Sequence, residues 1–285
     1  MTNASPSLAH APHHGRVLQP ASAFISRAAA HVGTRAVGLL LPLAVLYLWQ
    51  TAVDREWVAI QLLPPAELVW QSLRDLWQSG DLTSNLAVSL SRIGWSVLIG
   101  SAIGWLLGFL IGLSRTARAY LYPSFEVFSQ FPVIGWIPLL IIFLGIDEAL
   151  KIAAISMAVI VPVTVATFKG IENIPTRLLE VARVYCFTPR QLLLRVVLPA
   201  ALPSLFSGFR QGIMQAWLTL VFVELLASSE GIGYLMVWGR QLMQLDLVFV
   251  GLIVIGVVGL ILDLSLRRLE ACLQDWRHDN KQEQK

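Results

Sequence analysis

The chain of 285 residues is 56% hydrophobic and 14% charged, with a net charge of +3 and a mean hydropathy of +0.67. A soluble domain carries about a quarter charged residues, so this composition excludes a soluble globular fold and points to an all-α, polytopic membrane protein. Two widely separated cysteines, Cys186 and Cys272, and five histidines confined to the termini argue against a disulfide framework, a metal site or an imidazole-based catalytic centre.

Residues 1–35 read as a disordered tail that includes His10, His13 and His14, with no apolar core of a cleavable leader. Gaps between charges then give six spans, each near the ~20 residues a bilayer core requires. They run over 36–53, 93–114, 122–146, 152–168, 204–226 and 247–266, within a membrane domain of 36–268 that leaves 269–285 as a second tail. After the first span, "PPAELVWQSLRDLWQSGDL" mixes Leu68, Leu73 and Trp77 with charges at helical spacing, an amphipathic helix for the membrane face. The second span carries Gly94, Gly100, Gly104, Gly108 and Gly112, mostly four apart. Such a pattern permits close helix approach, here read as packing within one subunit ahead of a seam between two. In "FPVIGWIPLL", Pro132, Gly135 and Pro138 should interrupt the third span and give it a hinge. Gly231 and Gly233 of "SSEGIGYL" suit a tight turn in the last external loop.

Basic residues set the orientation. Arg16, Arg27 and Arg35 precede the first span, Arg115 and Arg118 follow the second, and Lys169, Arg177, Arg183, Arg190 and Arg195 follow the fourth. Arg267, Arg268, Arg277 and Lys281 close the chain, so both termini are expected in the cytoplasm. The loop over about 169–200 holds two amphipathic helical patterns separated by "CFTP". Pro175 and Thr176 open the first, which puts Leu178, Val181, Ala182 and Tyr185 on one side and Arg177, Glu180 and Arg183 on the other. Thr188, Pro189 and Gln191 open the second with the spacing of a capping box. Two readings fit this hairpin: a solvated element resting on the bilayer, or a docking element whose apolar side packs on the spans while its charges face a partner.

"EVARVYCFTPRQLLLRVVLP" resembles the cytoplasmic EAA loop of ABC-transporter permeases of the importer type. Glu180, Ala182, Leu198 and Pro199 hold the positions of that motif, Val181 and Val196 replace an alanine and an isoleucine, and Cys186 stands where the family has glycine. If that turn requires positive φ, the cysteine strains it. The likeness extends over about 62–276, where "LGIDEALKI", "AWLTLVFVELLASSEGIGYL" and "LDLVFVGLIVIG" are similar to permeases for aliphatic sulfonates, taurine and nitrate. Among these, "GIDEALKI" and "WLTLVFVE" sit nearest the aliphatic sulfonate type.

The resemblance implies a type I importer permease in the bacterial inner membrane, built as a homodimer. It also implies two cytoplasmic ATPase subunits and an extracytoplasmic solute-binding protein as partners. No nucleic-acid partner follows from it. No G-x-x-x-x-G-K-[ST] loop occurs, so the chain cannot bind ATP in the usual way; the resemblance implies that ATP is bound by the partner ATPase and that this chain carries no cofactor. The coupling residues would be Glu180, Ala182, Arg183, Cys186, Leu198 and Pro199. Polar groups within the spans are the candidates for a solute path or gate: Gln130, Arg210, Gln211, Gln215 and Glu224. Arg210 lies near a span end and can snorkel. A negative Glu224 would repel a sulfonate, which favours a structural or gating role for it. Alternative solutes are taurine, nitrate, bicarbonate or a thiamine precursor. A membrane-embedded enzyme lacks its residues in the spans, and a secondary carrier leaves the hairpin unexplained.

Overall fold

The computed structural model describes residues 40–59 and 62–274. The expected N-terminal tail, the first four residues of the first span and residues 275–285 lie outside them. The chain divides into two units, residues 1–59 and 60–285. In the first, the apolar helix α1 (Leu40–Asp54) ends where the Gln50 amide donates to Asp54.

Every regular element described in the second unit is a helix. The unit comprises α2 (Ala66–Ser79), α3 (Asp81–Leu113), α4 (Arg115–Ser129), a 3-10 turn (Val133–Trp136), α5 (Ile137–Leu144) and α6 (Glu148–Glu172). There follow α7 (Thr176–Val184), α8 (Pro189–Leu192), a π turn (Leu193–Val197), α9 (Leu198–Ala227), α10 (Ile232–Gln241) and α11 (Leu245–Gln274). Among the described residues, four stretches are long and apolar enough to cross a membrane: α3, α6, the run from Pro189 to Gln241, and α11. The pair α4 and α5, bent by 89° at the 3-10 turn, makes a fifth if it is one span.

α6 is the central helix, because half of its most apolar 18-residue stretch is buried against 17% for α11. In lipid no hydrophobic difference drives helices together, so close van der Waals approach must do it. The glycine stripe of α3 supplies that approach. A Cβ built on Gly100 or Gly104 would lie 2.7–2.8 Å from the Cβ of Val159 or Val163, and one on Gly112 would lie 2.7 Å from Ile171 Cδ1. Gly94 faces open space and is no part of the seam. Gly212 of α9 meets the same Val159 and Val163, and Gly170 of α6 receives Ser204 of α9. The core between the three helices holds Ile93, Val97, Ile155, Val159, Val163, Ala216, Trp217 and Leu220. The glycines thus pack within one subunit.

The third expected span is interrupted where the sequence suggested. Pro132 is extended (φ −63°, ψ 134°) and cannot continue α4. Gly135 N–H then donates to the Pro132 carbonyl at 2.9 Å to form the 3-10 turn. The amphipathic helix expected after the first span is α2, which turns only Val69 and Ser72 fully inward. The Ser72 hydroxyl donates to Asp246 of α11 at 2.5 Å.

Candidate functional site

The loop between α6 and α9 is a helical hairpin, α7 and α8. α7 closes with a Schellman pattern: Phe187 N–H donates to the Ala182 carbonyl and Cys186 N–H to Arg183, both at 3.0 Å. This places Cys186 at φ 52°, the left-handed conformation that glycine adopts without a Cβ penalty. α8 opens with both halves of a capping box, Thr188 Oγ1 accepting from Gln191 N–H and Gln191 Oε1 from Thr188 N–H. It then passes through the π turn directly into α9, where Pro199 lacks the N–H that a regular turn would use. The second arm of the hairpin and the span are therefore one helical run.

The hairpin faces differ from the expected ones. Of Leu178, Val181, Ala182 and Tyr185, only Ala182 is buried. The inward contacts are made by Leu179, Ala182 and Leu192, with Ile171, Ile174, Val197, Ala201 and Leu205 beneath them. Leu178, Val181, Val184 and Tyr185 are exposed, as are Glu180, Arg183 and Cys186. The exposed surface is thus apolar as well as charged, because the inward stripe runs through positions 179 and 182 rather than 178 and 181. Leu198 is half-buried and Pro199 exposed where the run enters α9.

A cavity of about 660 Å³ opens beside the broken helix. Ser129 to Val133 form one wall, α6 contributes Ala158, Pro162, Val165 and Lys169 among others, and α9 contributes Ser204, Gln211 and Gln215. Non-helical backbone at membrane depth is tolerated where it lines such a cavity. Pro162 also withholds the N–H that the Ala158 carbonyl would accept in a regular helix.

Glu224 lies elsewhere, at the far end of the bundle from the hairpin and only 1% exposed. Its carboxylate accepts from Arg92 Nη1 at 2.7 Å, Ser89 Oγ at 2.7 Å and Gly233 N–H at 2.9 Å. Arg92 also grips Glu148 through Nε (2.8 Å) and Nη2 (2.6 Å), and donates to the Glu230 carbonyl at 2.8 Å. Lys151 donates to Glu148 at 2.6 Å. Two cations and two carboxylates thus balance, joining α3, α6, α9 and the loop into α10. Gly231, at φ 111°, has no room for a Cβ beside the Glu224 carboxylate. Nearer the hairpin, Arg210 of α9 pairs with Asp263 (2.8 Å) and Glu270 (2.6 Å) of α11.

A family model for the inner-membrane component of binding-protein-dependent transport systems matches residues 100–274, which carry the glycine seam, the broken span and the hairpin. The chain belongs to that family. It is accordingly the transport subunit of an ABC importer, a multi-pass inner-membrane permease and not an enzyme, and it works with an ATPase and a solute-binding protein.

The permease is similar to SsuC of Bacillus subtilis (strain 168), named for aliphatic sulfonate transport, with 37% identity over 85% of this chain and 87% of the relative. Its likeness to SsuC of Escherichia coli (strain K12) is 36%, covering 83% and 90% of the two chains. To the taurine transport system permease TauC of the same organism it is 31%, covering 85% and 90%. Among solved structures it shares its fold with a chain of the MetNI methionine ABC transporter in inward-facing conformations (TM-score 0.57, 20% identity, 69% of this chain and 97% of that one). A chain of an amino acid ABC transporter solved with histidines gives 0.59 at 15% identity, over 71% and 96%.

The candidate path residues of the permease therefore separate into groups. Gln130, Gln211 and Gln215 meet in the cavity. Arg210 is held by α11, and Glu224 lies in the buried ion cluster. Sequence reasoning missed Arg92, Glu148 and Lys151, which it assigned to loops or span boundaries. Arg92 stands one residue before the uncharged run that marks the second span. Lys169 was counted only as an orienting charge, yet it lines the cavity.

Proposed function

We propose that the permease imports aliphatic sulfonates by alternating access. The observation that carries this reading is the naming of two relatives, at 37% and 36% identity over most of both chains, for that solute class. The cavity is chemically compatible with it: amides of Gln130, Gln211 and Gln215 offer donors for sulfonate oxygens, and Val133, Val161 and Val165 offer an apolar wall for an alkyl chain. Taurine is the second reading, favoured by the likeness to TauC. Nitrate, bicarbonate and a thiamine precursor follow.

In this reading two copies of the permease pair in the membrane, with six spans each and both termini in the cytoplasm. Two ATPase subunits sit beneath them. The hairpin is the coupling element, seated in an ATPase groove by Leu178, Val181, Val184 and Tyr185, with Glu180 and Arg183 as polar anchors; Ala182, Cys186, Leu198 and Pro199 hold its shape. The exposed apolar face supports this, since such a patch calls for a partner. ATP-driven closure of the ATPases moves the hairpins and biases the spans between two states. A solute-binding protein delivers the sulfonate at the opposite face.

Growth of a strain lacking the gene tests the solute, with ethanesulfonate, taurine or sulfate as sole sulfur source and nitrate as sole nitrogen source. Uptake of labelled ethanesulfonate excludes masking by a second importer. Loss on ethanesulfonate alone is the expected result. Loss on taurine or nitrate with ethanesulfonate intact overturns the sulfonate assignment.

A further inference from the structure

The cavity contains one charged side chain, Lys169, and among the described residues it has no carboxylate partner. The cations at least partly buried among the described residues are neutralised: Arg92 by Glu148 and Glu224, Lys151 by Glu148, and Arg210 by Asp263 and Glu270. The nearest acidic side chain along α6 is Glu172, one turn on, and it is engaged by Arg118. Arg118 is itself held over the Phe168 ring at 4.7 Å. Lys169, an exposed residue near the end of α6, therefore presents an uncompensated positive charge at the rim of the cavity.

Its position gives that charge a direction. Ala158, Val161, Pro162, Val165, Ala166 and Lys169 fall at i, i+3, i+4, i+7, i+8 and i+11, a single stripe of α6 along the cavity wall. From Ala158 to Lys169 the stripe rises about 16 Å at ~1.5 Å per residue. The ammonium stands at its hairpin end. A charge at the mouth of a low-dielectric cleft focuses its field into the cleft and enriches the opposite sign there.

We infer that Lys169 is the charge-selecting residue of the path: it draws an anionic head group along the cavity toward the hairpin end and excludes cations. The inference rests on the cavity being the solute path, and it holds for any small organic or inorganic anion. Lys169 acts as a field rather than as a tight clamp, since glutamine amides and apolar wall share the contact. This suits a path that must release its solute.

Two measurements on the permease–ATPase complex test it. In nanodiscs, with Cys186 and Cys272 removed, Val165→Cys places a thiol on the cavity wall one turn from Lys169. Its reaction rates with methanethiosulfonates bearing a sulfonate or a trimethylammonium group read the sign of the local field without reference to the transported solute. Replacing Lys169 with Gln in that background lowers the anionic-to-cationic rate ratio by about tenfold. An unchanged ratio, or a thiol that neither reagent reaches, overturns the inference.

In proteoliposomes with the binding protein, Lys169→Gln lowers ethanesulfonate uptake about tenfold and Lys169→Arg restores most of it. Equal loss in both variants marks a structural position and also overturns it. If the wild-type complex imports no sulfonate while the labelling ratio still depends on Lys169, the solute assignment falls and the charge selection stands.

Discussion

Replacing Arg92 with Met tests whether the ion cluster, buried at Arg92, Lys151 and Glu224 and open to its surroundings at Glu148, is a balanced unit. Among the described residues Arg92 is the cation paired with Glu224; Lys151 reaches only Glu148. The substitution leaves Glu224 buried with two neutral donors, Ser89 Oγ and Gly233 N–H, and no counter-charge. Breaking a buried pair in this way costs about 3–5 kcal/mol. At roughly 2–4 °C per kcal/mol for a domain of this size, the thermal midpoint should fall by about 10 °C. Adding Glu224→Gln removes the orphaned charge, and the remaining Glu148–Lys151 pair is neutral. The double variant loses chiefly hydrogen bonds, about 1–2 kcal/mol, and should recover more than half of the fall. Thermal unfolding of the purified permease in detergent, followed by tryptophan fluorescence, measures both. A double variant as unstable as the sum of the two single variants would refute the charge-balance argument.

Cys186→Gly removes the left-handed strain at the α7 C-terminus and should stabilise the hairpin by about 1 kcal/mol; slower amide exchange over residues 182–187 would register it, and faster exchange would contradict it. Gly108→Val drives a Cβ to 2.5 Å from Thr167 Cβ and 2.9 Å from the Thr164 carbonyl oxygen, and should destabilise by about 1–3 kcal/mol or more. Gly94→Val, with nothing within 4 Å, is its control and should leave the thermal midpoint unchanged.

What was legible in the sequence was local. The capping box at Thr188 and Gln191, the break at Pro132 and the close seam along α3 each depend on residues within a few positions, or on a regular spacing along one helix. The ion cluster depends on partners 56 and 132 residues apart, which no spacing rule joins. That is also why the gaps between charges start the second span at Ile93 whereas α3 begins at Asp81: Arg92 bounds the uncharged run in the sequence but is neutralised inside the helix. The hairpin was misoriented for a different reason. α7 carries apolar residues at 178, 179, 181, 182 and 184, covering more than one side of a helix. Only the neighbouring spans decide that positions 179 and 182 turn inward.

These contacts limit which parts of the permease move against one another. Residues 189–227 run as helix from the hairpin past Ser204, Gln211 and Gln215 to Glu224, about 55–60 Å at ~1.5 Å per residue. α9 cannot slide freely along α6, because Gly208 receives Ala166 and Gly212 receives Val159 and Val163; a shift would bring side chains against positions with no space. At its far end α9 is pinned through Glu224 to Arg92, and Arg92 to Glu148 at the start of α6. α3, α6 and α9 therefore behave as one block. In the proposed coupling, a displacement applied at the hairpin would turn that block as a whole. The bent pair α4 and α5 is divided by the Pro132–Gly135 turn, and its break forms the facing wall of the cavity. In the alternating-access reading proposed above, a rigid block would leave this break as the part of the cavity wall free to change shape, and the gate would lie at Gln130 and its neighbours rather than at Glu224.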